Sequence, residues 1–100
     1  MGPYLVTKDE IEDVNNLNLT LDVNGHRHQT GNTNQMIFNF NFLIAHITRF
    51  ITLMPGDIVT TGTPPGVGLG MNPPVFLKDG DNMELAVDRL GSQNIKVVAE

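Results

Sequence analysis

A β-rich α+β domain with one amphipathic helix is the fold class this sequence predicts, and three patterns predict it. Leu17, Leu19, Leu21 and Val23 alternate with Asn18, Thr20 and Asp22, the period-two signature of a half-buried strand. Asn24-Gly25 follows at once, a strong hairpin signal because both central positions of a type I′ turn need positive φ. Farther on, Phe40, Leu43, Ile44, Ile47, Phe50 and Ile51 recur at spacings of three and four, which lays one apolar stripe along a helix.

Taken in order, Tyr4-Leu5-Val6 reads as a short strand and Thr7–Asp13 as a polar turn. The alternating strand turns at Asn24-Gly25 and returns over His26–Gln29, ending at Gly31-Asn32. Asn39 is placed to cap a helix over residues 40–53, which Pro55 stops. Pro55-Gly56 makes a tight turn, and the β-branched run Asp57–Thr61 leaves it as a strand. That strand empties into Gly62-Thr63-Pro64-Pro65-Gly66-Val67-Gly68, a segment that continues neither a strand nor a helix. Pro73-Pro74 starts an extended piece at Val75-Phe76-Leu77, and Asp79-Gly80-Asp81 is a turn. Met83–Asp88 and Ile95–Ala99 then read as a hairpin pair around Leu90-Gly91-Ser92. Apart from an excess of Asn between residues 15 and 41, there is no repeat, linker or low-complexity tract.

The totals bound the function. One hundred residues with 40% apolar content make one small domain, residues 1–100, with a modest core. A net charge of −5 with only six Lys and Arg cannot form a basic stripe, which argues against nucleic acid or an anionic membrane as partner. Without cysteine there is no disulfide and no thiolate metal site. The longest apolar-rich stretch, Phe38–Leu53, is interrupted by Asn41, His46, Thr48 and Arg49, too polar for a membrane span. No basic segment precedes an apolar one at the start, and Val6 stands where a myristoylation signal needs Ser or Thr. The expectation is a soluble, cytoplasmic chain, in which the sequon Asn18-Leu19-Thr20 carries no glycan.

The glycine- and proline-rich loop is the best candidate site. It presents backbone N–H groups and the Thr63 hydroxyl at the edge of a sheet, which suits an acceptor-rich small ligand such as a carboxylate. A purely structural turn is the competing reading of such a loop. It is neither a dinucleotide fingerprint, since no third glycine or opening helix follows, nor a P-loop, since Gly-Lys-Ser/Thr is absent. His26 and His28 form an H-x-H pair, but they directly follow a turn and have no clear third ligand, so two solvated histidines is the ordinary reading. His46, between the apolar and polar sides of the helix, reads as partly buried and hydrogen-bonded. Asp9, Glu10, Glu12 and Asp13 form a solvated turn, and Asp57, Asp79 and Asp81 bond their own turns. No carboxylate pair or Ser-His-Asp arrangement suggests an acid, base or nucleophile.

The order of these segments resembles the C-terminal half of the fumarylacetoacetate hydrolase superfamily. The resemblance runs through Gly2-Pro3-Tyr4-Leu5-Val6-Thr7, Leu21-Asp22-Val23-Asn24-Gly25, Gln29-Thr30-Gly31-Asn32-Thr33 and Met36-Ile37-Phe38. It continues in Arg49-Phe50-Ile51-Thr52-Leu53, Pro55-Gly56-Asp57-Ile58-Val59, Thr61-Gly62-Thr63-Pro64-Pro65-Gly66-Val67-Gly68, Phe76-Leu77-Lys78-Asp79-Gly80-Asp81 and Leu90-Gly91. The departures are His28 where arginine is common, Phe42 where glutamate would complete a capping box, and Asn at several positions that relatives fill with charge.

The resemblance implies a mixed β-sheet of roll or barrel-like form and an enzyme acting on C–C bonds of 2-oxo acids or 1,3-dicarbonyl compounds. Acylpyruvate hydrolysis, oxaloacetate decarboxylation and isomerase steps of aromatic degradation are the reactions of such enzymes. It further implies Mg²⁺ or Mn²⁺ in the complete enzyme, held by acidic ligands upstream of the position matching Gly2, where a His–Glu dyad and a lysine also belong. On that reading this chain alone binds no metal, supplies no catalytic residue and is inactive. It contributes a substrate-contacting wall in which the family's threonine falls on Thr63, with Gly62 and Pro64 shaping the pocket. The implied partners are a small 2-oxo acid and either a homo-oligomer or an N-terminal half. The alternative is a non-catalytic structural or binding half, a split or truncated subunit that needs a partner chain.

Overall fold

The computed structural model describes residues 2–99. Four strands, β1 (Asn18–Val23), β2 (His26–Asn32), β3 (Asn82–Val87) and β4 (Gly91–Lys96), form one sheet in the order β2-β1-β3-β4. Among the described residues a single α-helix, α1 (Phe40–Ile47), lies in the long connection between β2 and β3. Every pairing in the sheet is antiparallel, where a mixed sheet was expected: both outer strands join their neighbours by tight hairpins, and β1 meets β3 running the opposite way.

The first hairpin forms as its sequence dictates. Asn24 and Gly25 take φ of 50° and 76°, the left-handed pair of a type I′ turn. The strand is longer than expected, however, and its register shifts between Leu21 and Asp22. Asp22 pairs with Arg27 while Leu21 pairs with Gln29, so His28 is the extra residue of a β-bulge. The bulge resets the alternation. Arg27 stays exposed and bonds Asp22 from Nε at 2.6 Å, whereas Gln29 turns inward and is buried.

Several turns close as read. Asn39 Oδ1 accepts from Phe42 N–H at 2.9 Å and caps α1. Asp57 Oδ2 accepts from Met54 N–H at 2.7 Å in its own turn, and Asp81 Oδ2 accepts from Lys78 N–H at 2.8 Å. The turn at 79–81 is also tied to the β1–β2 turn, since Asn24 Nδ2 donates to Asp81 Oδ1 at 2.9 Å and Asn82 N–H to Asn24 Oδ1 at 2.9 Å.

Other segments differ. The helix, expected to reach residue 53, ends at Ile47 and continues only as turns, with Phe50 N–H bonded to Ile47 O. Thr48 weakens the helix at this point: its hydroxyl donates back to Ile44 O at 2.9 Å and Ala45 O at 3.2 Å, sharing Ile44 O with its own backbone N–H. Residues 57–61 and 4–6 are not strands, and Ile58, Val59, Tyr4 and Leu5 are all exposed. β-Branched composition favours an extended backbone but supplies no ladder partner. In the second hairpin, residues 88–90 make the connection, and β4 starts at Gly91 rather than Ile95.

The core is thin. Ile11, Leu17 and Val23 are its buried hydrophobic residues. Thr33 clamps the open end of the first hairpin, its hydroxyl accepting from Leu17 N–H at 2.9 Å and donating to Val14 O at 2.8 Å. The Cα radius of gyration is 15.6 Å, against about 13 Å for a compact domain of this length. Much of the helix's apolar stripe faces outward: Ile44 is 48%, Phe50 76% and Ile51 61% exposed. Beside it Phe38, Phe42, His46 and Phe50 form a ladder of rings, with centroids 4.8, 6.1 and 5.3 Å apart. His46 therefore sits exposed between two aromatic rings instead of partly buried.

Candidate substrate-binding loop

The glycine loop is laid across the inner side of the edge strand β2. Two glycines permit the approach. A Cβ on Gly66, whose φ is +107°, would overlap the His28 carbonyl oxygen, which the bulge presents at that point. A Cβ on Gly31 would stand 2.9 Å from Pro64 Cβ. The loop thus touches bare backbone at both places, and this fixes where Thr63 lies.

Thr63 is exposed and Pro64 half-buried. The buried Gln29 holds both of them: its Nε2 donates to Thr63 Oγ1 at 2.8 Å and to Pro64 O at 2.9 Å. Thr63 Oγ1–H also donates to Pro64 O at a longer 3.1 Å. Gly62, Thr63 and Pro64, all read from the sequence as site residues, line one wall of a cleft of about 460 Å³ together with Thr61 and Pro65. Met36, Ile37, Phe38, and Phe40 and Leu43 of α1 supply apolar lining, with Leu19, Asn32, Thr33 and Gln35 completing it. No ionisable side chain lines this cleft. An acceptor-bearing ligand would meet the Thr63 hydroxyl at one end and hydrocarbon at the other.

Gln29 is the residue that sequence reasoning missed. Counted straight back from the Asn24-Gly25 turn, Gln29 pairs with Thr20 on the outer face, and only the bulge at His28 moves it opposite Leu21 and inward. The same bulge breaks the simple alternation on which a shared His26–His28 face rested. Among the described residues no group of three His, Cys, Asp or Glu side chains is placed to hold a metal ion. No helix among them is long and apolar enough to cross a membrane.

Comparison with known proteins adds family context. The model for the family "Fumarylacetoacetate (FAA) hydrolase C-terminal" matches residues 1–98. A Burkholderia ambifaria protein named "Putative hydrolase" is 53% identical over 94 residues, which cover 93% of this chain and 33% of that protein. The solved structure of fumarylacetoacetate hydrolase from Exiguobacterium antarcticum superposes with a TM-score of 0.94 at 37% identity, covering 99% of this chain and 35% of the other. Maleylpyruvate hydrolase from Sphingobium sp. SYK-6, solved with manganese(II) and pyruvate, gives a TM-score of 0.85 at 37% identity, over 97% of this chain and 34% of the other. The chain thus spans about a third of the length of the relatives it matches.

Proposed function

This chain belongs to the fumarylacetoacetate hydrolase family, matching its C-terminal domain, and from that membership we propose that it supplies a substrate-binding wall in an enzyme acting on C–C bonds of 2-oxo acids or 1,3-dicarbonyl compounds. The observation that carries the reading is the Thr63 hydroxyl, anchored by Gln29 at the polar end of an otherwise largely apolar cleft. Thr63 donates its proton to the carboxylate or 2-oxo oxygen of the substrate and orients it, while Gly62 and Pro64 shape the wall around that end. The compound is a soluble metabolite, and we place the enzyme in the cytoplasm.

The whole enzyme, on this reading, uses Mg²⁺ or Mn²⁺, which polarises the substrate carbonyl. The manganese and pyruvate in the Sphingobium enzyme support it. Among the described residues no three ligating side chains are grouped, and the reading accordingly takes the ion's ligands from the rest of the enzyme and gives this chain the organic substrate. Thr63→Val in the complete enzyme removes the hydroxyl and keeps the shape. A hydrogen bond to a charged group contributes about 1.5–3 kcal/mol, so binding of the 2-oxo acid weakens by about ten- to a hundredfold. Unchanged KM and kcat refute the assignment of Thr63.

The second reading is a non-catalytic half that acts only in association with another chain or copy. It draws on the thin core and on the exposed Phe42, Ile44, Phe50 and Ile51, a surface that association would cover. Turnover of a 2-oxo acid by the protein isolated from its source separates the two. Activity of a single polypeptide that carries this chain supports the first reading, and activity that appears only when a second, different polypeptide is added supports the second.

A further inference from the structure

Thr63 does not stand alone at the polar end of the cleft. A threonine hydroxyl has one proton and two lone pairs, and a glutamine amino group has two protons. Gln29 spends both protons here, one on Thr63 Oγ1 and one on Pro64 O, at 2.8 and 2.9 Å. The amide orientation is fixed by chemistry, because Pro64 O has no proton to offer and only the amino end of Gln29 can face it. Pro64 O consequently receives two donors, Gln29 and the longer bond from Thr63.

We propose that Gln29 is the positioning residue that makes Thr63 a ready donor, holding its oxygen from behind and keeping the Pro64 carbonyl bonded while the Thr63 proton swings to a substrate oxygen. Without Gln29, that swing would leave the half-buried Pro64 carbonyl without a donor, and the proton would stay where it is. With Gln29 in place, the carbonyl gives up only its longer, second bond. The inference rests on the reading of Thr63 as the substrate's donor and adds a residue that itself touches no substrate.

The test is calorimetric binding of pyruvate to the full-length, Mn²⁺-loaded protein that carries this chain, in Thr63→Val, Gln29→Met and the double variant. Methionine keeps the length of Gln29 and removes both donors. Each single change is expected to weaken pyruvate about tenfold, the scale of one hydrogen bond to a charged acceptor. The double variant is expected to bind no more weakly than Thr63→Val, because Gln29 acts only through that hydroxyl. A double variant weakened by the product of the two single effects overturns the proposal and leaves Thr63 standing. Pyruvate bound normally by Thr63→Val overturns the reading of Thr63, and Gln29 falls with it. Should Gln29→Met fail to fold, Gln29→Glu answers the same question. Its carboxylate captures the Thr63 proton at neutral pH, so binding is weak there and recovers in part as the pH falls and the carboxyl regains one of the two donors that Gln29 supplies. Affinity of that variant independent of pH refutes the role.

Discussion

Gly66→Ala tests how the loop is held against the sheet. Two costs combine at this position. A side chain at φ of +107° sits in the left-handed region, a penalty of about 1–2 kcal/mol. The added Cβ also overlaps the His28 carbonyl oxygen, a backbone atom in the sheet's edge strand that cannot rotate away, and relieving such overpacking costs about 1–3 kcal/mol. Gly56→Ala isolates the first term, since Gly56 has φ of +99° and open space around its would-be Cβ. Urea unfolding of the complete protein, followed by circular dichroism, should show Gly66→Ala to be less stable than Gly56→Ala by about 1–3 kcal/mol, the steric part alone. Pyruvate binding should fall with it in Gly66→Ala only, because the loop that is pushed off carries Thr63. Equal destabilisation by the two substitutions would show that the loop is not seated on the His28 carbonyl, and the account of how Thr63 is placed would go with it.

Two further expectations concern the frame around the site. Asn39→Ala removes the side-chain acceptor for Phe42 N–H and should cost about 1 kcal/mol, read as faster amide exchange in the first turn of α1 with the β-strand amides unaffected. Asp81 is held below its ordinary value of 3.8, first by the hydrogen bond from Asn24 and then by that from the Lys78 backbone. A carboxyl depressed by folding stabilises above its unfolded value and loses that contribution as pH falls through the folded one. Thermal stability should therefore drop as the pH is taken from about 4 downward, and Asp81→Asn should flatten that slope. A slope unchanged in the variant would assign the acid sensitivity to other groups.

What was legible in the sequence is what local chemistry decides alone. Asn24-Gly25 can form one kind of turn with ease, Asn39 has one favourable use ahead of an apolar run, and Asp81 bonds its own turn, whereas Asp79, expected to do the same, accepts from the distant Ala99 N–H. The turn, the cap and the Asp81 bond came through with the fold class. Of the candidate site, the loop was legible, since its composition pointed to backbone N–H groups and the Thr63 hydroxyl and the family resemblance added Gly62 and Pro64; Gln29 was not, because its face depends on a single extra residue at His28 that no alternation pattern shows. The unpaired run at 57–61 and the helix ending at Ile47 failed for a shared reason. Spacing and propensity describe what a segment favours, whereas a ladder needs a partner, and a hydroxyl such as that of Thr48 can compete with the helix backbone.

The bond between the Asn24 and Asp81 side chains joins the turn of the first hairpin to the chain beyond the helix and the glycine loop. Residues 33–81, with the helix and the glycine loop, leave the sheet at the end of β2 and re-enter it at β3 beside that bond. The site is thus a long excursion from the sheet whose two ends are held separately, at Thr33 by its bonds to Leu17 and Val14 at the open end of the first hairpin and at Asp81 by Asn24 at the turn end. Lengthening a tied excursion costs little, since closure entropy grows only with the logarithm of its length. Insertions in the excursion can reshape the cleft's apolar wall while strand register stays fixed. The same scaffold can accordingly present its threonine to ligands of quite different size.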